Sequence, residues 1–145
     1  MLAIEPVWTA DPIDETILSE DAAAIRGCLL DYFEGWFDGD AERMDRALHP
    51  GLAKHSLDQG ASRANGLDLS TKTEMVEATR RGIGRASDVP ERDIRIDIAA
   101  VSGTMASAIV HSAVYVEFVL LARTADGWRI TGALWRWATG HGPRG

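Results

Sequence analysis

A chain of 145 residues with 46% hydrophobic and 26% charged residues has the size and composition of one globular domain and lies far from the composition of disordered segments. Its formal net charge of −7 repels phosphate backbones, and no face-length run of Lys and Arg offsets it, so nucleic acid is not an expected partner. The single cysteine, Cys28, excludes an internal disulfide and a cysteine-based zinc site and fits a reducing compartment.

Residues 1–18 contain two prolines and scattered apolar residues without a sustained period, and they read as an arm that Trp8 would pin to the body. They lack the basic start and unbroken apolar stretch of a secretory signal. No later segment is long and uncharged enough to span a bilayer. A cytoplasmic location and no membrane partner are therefore expected. Ser19 and Asp21 supply N-cap chemistry, and Ile25, Leu29, Tyr32, Phe33 and Trp36 follow at helical spacing until Asp38-Gly39-Asp40. Gly27 and Gly35 inside this helix each cost about 1 kcal/mol relative to Ala, which implies close packing at both. Asp40 caps a short second helix through Leu48, with Met44, Ala47 and Leu48 inward, and His49-Pro50-Gly51 stops it.

A short strand is expected from Leu52 to Leu57. Residues 58–69, with Gly60, Asn65 and Gly66, read as a mobile loop or a ragged hairpin. Thr71 with Glu74 forms a capping-box pattern that opens a third helix to about Arg81, closed by Gly82 and Gly84. Arg80, Arg81 and Arg85 at its end meet the negative end of the helix dipole. From Asp93 the period becomes two: Ile94, Ile96, Ile98 and Ala100 alternate along a strand, and Ser102-Gly103 turns into a second, from Met105 to Val110. The chain bends at 111–114, a third strand covers Tyr115 to Arg123, and Ala125-Asp126-Gly127 is a hairpin signal leading into a fourth strand, Trp128 to Trp137.

Helices first and hairpin-linked strands afterwards define an α+β domain over residues 19–138, with a tail at 139–145. The third strand is apolar on both faces, with Val116, Phe118 and Leu120 on one and Tyr115, Val119 and Leu121 on the other. Helices cover only one face of a sheet. A homodimer through the other face is therefore expected.

The run Tyr32-Phe33-Glu34-Gly35-Trp36-Phe37-Asp38-Gly39-Asp40, followed by Met44, Leu48-His49-Pro50, Tyr115-Val116-Glu117 and Asp126-Gly127-Trp128-Arg129-Ile130, resembles the nuclear transport factor 2-like (SnoaL-like) superfamily. Within it, the nearest likeness is to the Putative lumazine-binding branch. The likeness spans about Asp21 to Trp137. It implies a cone-shaped NTF2-like fold in which three N-terminal helices pack on a curved, mostly antiparallel sheet, with a pocket at the wide end and pairing through the sheet. Relatives include isomerase-like enzymes, cyclases, dehydratases and proteins without known activity, so the likeness carries no reaction.

Glu117 interrupts an otherwise apolar strand, and the likeness puts an acidic residue there. It is the first candidate for a pocket acid or base, the alternative being a pairing with Arg129 or Arg136 across the sheet. His49 is either a general base at the pocket edge or a partner of the helix end, and His55 faces pocket or solvent. The two histidines lack a carboxylate at ligand spacing, so neither metal nor cofactor is expected. Tyr32, Trp36, Leu52 and Trp135 are candidate ligand contacts, although tryptophans such as Trp36, Trp135 and Trp137 are more often core or dimer interface than ligand platform. Cys28 reads as a small core residue and Asp97 as solvated. Gly82-x-Gly84 lacks a dinucleotide fingerprint. Three readings follow: a module binding a small, partly aromatic organic ligand; a cofactor-independent isomerase, dehydratase or cyclase using Glu117 and a histidine for proton transfer; or an interaction scaffold with a filled interior.

Overall fold

The computed structural model describes residues 15–60 and 66–138. The expected anchor Trp8 and the loop residue Asn65 lie outside them. Three helices, α1 (Glu15–Asp38), α2 (Ala41–Ala47) and α3 (Lys72–Arg80), pack on one sheet. Its strands are β1 (Leu48–Gly60), β2 (Gly66–Ser70), β3 (Arg95–Ser102), β4 (Met105–His111), β5 (Tyr115–Thr124) and β6 (Gly127–Trp137). The sheet order is β2-β1-β6-β5-β4-β3. Every neighbouring pair is antiparallel except β1 with β6, and β2 and β3 remain as open edges. The α+β class and the curved, mostly antiparallel sheet are as the residue pattern requires.

α1 begins at Glu15, upstream of the expected cap at Ser19 and Asp21. Asp21 lies inside the helix, and its buried carboxylate accepts from Trp128 Nε1 at 3.3 Å and Arg123 at 3.5 Å, tying α1 to the β5–β6 end of the sheet. The inward stripe is Ile25, Cys28, Leu29, Tyr32, Phe33 and Phe37, all buried. Gly35 has the close neighbour its cost implies, since a Cβ there would meet Arg43 Cβ at 3.1 Å and Met44 N at 3.2 Å of α2. Gly27 has nothing within 4 Å, so the expectation of close packing fails there. The capping box of α3 is formed: Thr71 Oγ1 accepts from Glu74 N at 3.3 Å, and Glu74 Oε1 accepts from Thr71 N at 3.1 Å.

β1 is much longer than the expected Leu52–Leu57 strand, and α2 stops one residue before Leu48, which already pairs with Ile130. Pro50 is accommodated because the β1–β6 register shifts between Leu48 and Ala53, where no ladder bond from its nitrogen is needed. Within the 58–69 stretch the described residues lie on two paired strands, β2 running antiparallel to β1 through Lys54↔Ser70 and Ser56↔Asp68, while 61–65 lie outside the described residues. The expected two-residue turn at Ala125-Asp126 is present, with Gly127 at φ +106°, where a side chain is disfavoured.

One irregularity decides which side chains reach the concave face. The β5–β6 register shifts between Leu120↔Gly132 and Leu121↔Ile130, leaving Thr131 as the extra residue of a bulge. Before the bulge, Trp128 and Ile130 point inward and are buried; after it, the odd residues Ala133, Trp135 and Trp137 share the inner face with Val119, Glu117 and Tyr115. Strict alternation along β6 would have sent those two tryptophans to the other side. On the convex face Phe118, Leu120 and Leu134 are 57%, 58% and 41% exposed.

Candidate functional site

A cavity of about 560 Å³ opens between α1, α3 and the inner faces of β1, β2, β5 and β6. Its walls combine Tyr32, Trp36, Tyr115, Trp135 and Trp137 with the charged pair Lys54 and Glu117, and α3 contributes Glu74 and Glu77, with Arg81 at its C-cap. The aromatic wall is internally braced. Tyr115 meets Trp135 edge-on at 5.4 Å between centroids and lies tilted on Trp137 at 5.3 Å, while Trp135 and Trp137 stand nearly perpendicular at 5.1 Å. Trp36 Nε1 donates to the Tyr115 hydroxyl at 3.0 Å. The chain after α3 runs so close to Trp36 that a Cβ at Gly84 would lie 2.3 Å from the Trp36 carbonyl oxygen, so only glycine lets it pass. Ser112 Oγ accepts from the amides of Val114 and Tyr115, at 3.3 and 3.0 Å, and fixes the start of β5.

Beneath this wall three polar side chains from three elements meet. Lys54 Nζ donates to the Tyr32 hydroxyl, Tyr32 donates to Glu117 Oε1 at 2.7 Å, and Lys54 Nζ stands 3.4 Å from the same carboxylate oxygen. All three are almost fully buried, at 8%, 3% and 2% exposure for Lys54, Tyr32 and Glu117. The ammonium also lies 5.4 Å from the Trp135 ring centre and 5.9 Å from that of Trp36. It approaches Tyr32 through the hydroxyl and not over the ring face. Burial holds Lys54 below its ordinary ammonium range, with the Glu117 charge pulling the other way. Burial, reinforced by the neighbouring Glu117 charge, pushes the Tyr32 phenol well above its usual value, so it stays neutral and able to donate. The site thus presents a donor, an acceptor and a bridging hydroxyl at the foot of an aromatic slot.

Four of the residues singled out in the sequence, Tyr32, Trp36, Trp135 and Glu117, come together here. Leu52 does not line the cavity; it is enclosed in the core. Glu117 is paired with neither arginine: Arg129 and Arg136 bond to the carbonyls of Trp128 and Trp137, and Arg136 sits opposite Val116, on the other face from Glu117. Neither histidine joins it. His49 Nδ1 accepts from Gly51 N at 2.9 Å, a local turn contact. His55 pairs with Leu134 on the convex face, one residue out of phase with Lys54. The buried Cys28 donates weakly to Ala47 O at 3.4 Å, and burial pushes its thiol up to about 12, as suits an inert core residue. Among the described residues no three His, Cys, Asp or Glu side chains gather to hold a metal ion.

A family model described as Putative lumazine-binding matches residues 20–136. The chain belongs to that family. Solved structures of similar fold include an NTF2-like protein with a cystatin-like fold from Novosphingobium aromaticivorans, at TM-score 0.64 and 18% identity over 87% of each chain. Two others are NTF2-like proteins of unknown function. The one from Shewanella baltica has TM-score 0.64 and 18% identity over 84% of this chain and 97% of its own. The one from Silicibacter pomeroyi has TM-score 0.62 and 17% identity over 83% and 98%. At these identities the likeness concerns the fold. No curated protein matches the chain. Within the Putative lumazine-binding frame, Lys54 is the site residue that sequence reasoning missed. Its signals were its parity with the inward Leu52 and the composition itself, since Lys54 and Lys72 are the only lysines beside many arginines.

Proposed function

We propose that this domain binds a small, flat, partly aromatic organic molecule in the cavity over Lys54, Tyr32 and Glu117. The carrying observation is a buried ion pair at the foot of an aromatic slot. A buried pair is often no more stabilising than apolar residues of the same volume, so its presence beside a cavity of ligand size supports a role in recognition. Trp135 and Trp36 offer faces for stacking. Lys54 supplies a donor for a carbonyl or ring nitrogen, and Glu117 an acceptor for a ring N–H. A pteridine such as lumazine, which the family's description names, has this combination of flat ring, carbonyl oxygens and N–H groups. Proton transfer by Glu117 with His49 or His55 loses its support, because these two candidates lie elsewhere.

The reading is tested by calorimetric titration with lumazine and other flat heteroaromatic carbonyl compounds. Binding to wild type that weakens at least tenfold, about 1.4 kcal/mol, in Trp135→Ala supports it. Equal affinity in the variant contradicts it. The same reading has a second copy of the chain covering the convex face, where Phe118, Leu120 and Leu134 form an apolar patch around a shallow depression with Ala53, His55 and Ile109.

A further inference from the structure

The geometry points to a covalent step at the same cavity: Lys54 acts as a nucleophile that condenses with an aldehyde or ketone group of the bound molecule to form an imine. This rests on the cavity being a binding site, and it narrows the ligand class to carbonyl compounds.

Three observations carry it. First, Lys54 is on the cavity wall, with Nζ within 5.9 Å of two ring centres that would hold an aromatic carbonyl compound flat above it. Second, its partners are the groups an imine-forming lysine needs. Glu117 Oε1, 3.4 Å from Nζ, can take the ammonium proton to free the amine, and Tyr32, bonded to both, can pass protons between them. Third, the residue type is telling. Arginine supplies the ion pairs of the helical layer made by Arg43, Arg46 and Arg80, with the exposed Asp45 taken by Lys72, and it packs and pairs better in buried sites, yet it never loses its proton. Among the described residues, the one side chain buried in the cavity as a cation is the kind that can become a neutral amine. Burial lowers its proton affinity, in keeping with this role.

The step balances without an oxidant or reductant. Lys54 gives a proton to Glu117; the amine lone pair forms a C–N bond to the carbonyl carbon while the C=O π pair moves to oxygen, which takes the proton back through Tyr32. The nitrogen, which now carries two protons, gives one to Glu117, and this proton reaches the carbinolamine hydroxyl through Tyr32, so that the hydroxyl leaves as water while the nitrogen lone pair forms the C=N bond. The iminium then gives its last proton to Glu117, so the lysine ammonium and the carbonyl compound give one imine, one water and one proton held on Glu117.

The test uses 2-hydroxy-1-naphthaldehyde with sodium cyanoborohydride, read by intact mass and peptide mapping. Its non-condensing analogue 2-naphthol is titrated in parallel by tryptophan quenching. Only two lysines are present, and Lys72, held by Leu48 O at 3.0 Å and Asp45 at 3.4 Å, serves as the internal control. The expected result is one reduced adduct per chain on Lys54, at least tenfold over Lys72. It should be lost in Lys54→Arg and Lys54→Met, of which whichever keeps 2-naphthol binding decides. If 2-naphthol binds but Lys54 is labelled no faster than Lys72, the covalent proposal is overturned and the binding reading stands. If neither compound engages the cavity, both are overturned.

Discussion

Lys54, Tyr32 and Glu117 reach one point from β1, α1 and β5, and each satisfies the other two in a place that water hardly enters. Removing one charge strands the other. Glu117→Leu is therefore expected to cost roughly 3 kcal/mol of stability, whereas the double variant Lys54→Met with Glu117→Leu returns to within about 1 kcal/mol of wild type. Urea unfolding of the single and double variants checks this, and a double variant as unstable as the two singles summed would contradict it. At this scale the sequence was partly legible. Glu117 stood out because a carboxylate among Tyr115, Val116, Phe118 and Val119 has no cheap explanation. Lys54 did not, because it sits between Ala53 and His55 in a strand whose β6 partner lies far along the chain, and only that pairing turns it inward. The same one-residue phase that buries Lys54 sends His55 to the opposite face.

Among the elements, α1 and α2 are clamped by Asp31, whose carboxylate accepts from Arg43 Nε and from Arg46 Nε and Nη2, each at 2.9 Å. The Arg46 hydrogen bonds, with those of Arg43, hold the Asp31 carboxyl below its ordinary range against a smaller opposing effect of burial. Because the folded value is depressed, the stability it contributes is present above the unfolded value of about 3.9 and is lost as pH falls through the folded value. Arg46 is largely exposed, so solvent screening limits the effect. Asp31→Asn should cost about 1 kcal/mol at pH 7, and the gap in Tm between variant and wild type should close as the pH is lowered through the depressed folded value. A gap that persists unchanged in acid would contradict the assignment. Local signals were read correctly in the Thr71–Glu74 box and the Asp126-Gly127 turn, but not at Ser19 and Asp21, which lie inside α1. The bulge at Thr131 was not legible, since no residue type announces an extra position in the ladder, yet it is what brings Trp135 and Trp137 into the cavity.

For the molecule as a whole, β5 has two apolar faces and the helices cover only the one carrying Tyr115, Glu117, Val119 and Leu121. The proposed second copy on the other face predicts a particle of twice the 15.7 kDa chain mass in sedimentation equilibrium, reduced to the monomer by Phe118→Asp together with Leu134→Asp. A wild-type chain that sediments as a monomer would contradict it. The layer order and the two apolar faces of β5 could be anticipated from periodicity alone; the depth and lining of the cavity could not, because they depend on how three helices and a bulged sheet meet.

The tryptophans provide the most direct probe of the cavity. In ¹H–¹⁵N spectra of the indole N–H groups, titration with lumazine or 2-naphthol should shift Trp36 and Trp135 saturably. Trp128, whose Nε1 is bonded to Asp21 outside the cavity wall, should stay in place. Saturable shifts confined to Trp128, or no difference among the three, would contradict a ligand seated over Lys54 and Glu117.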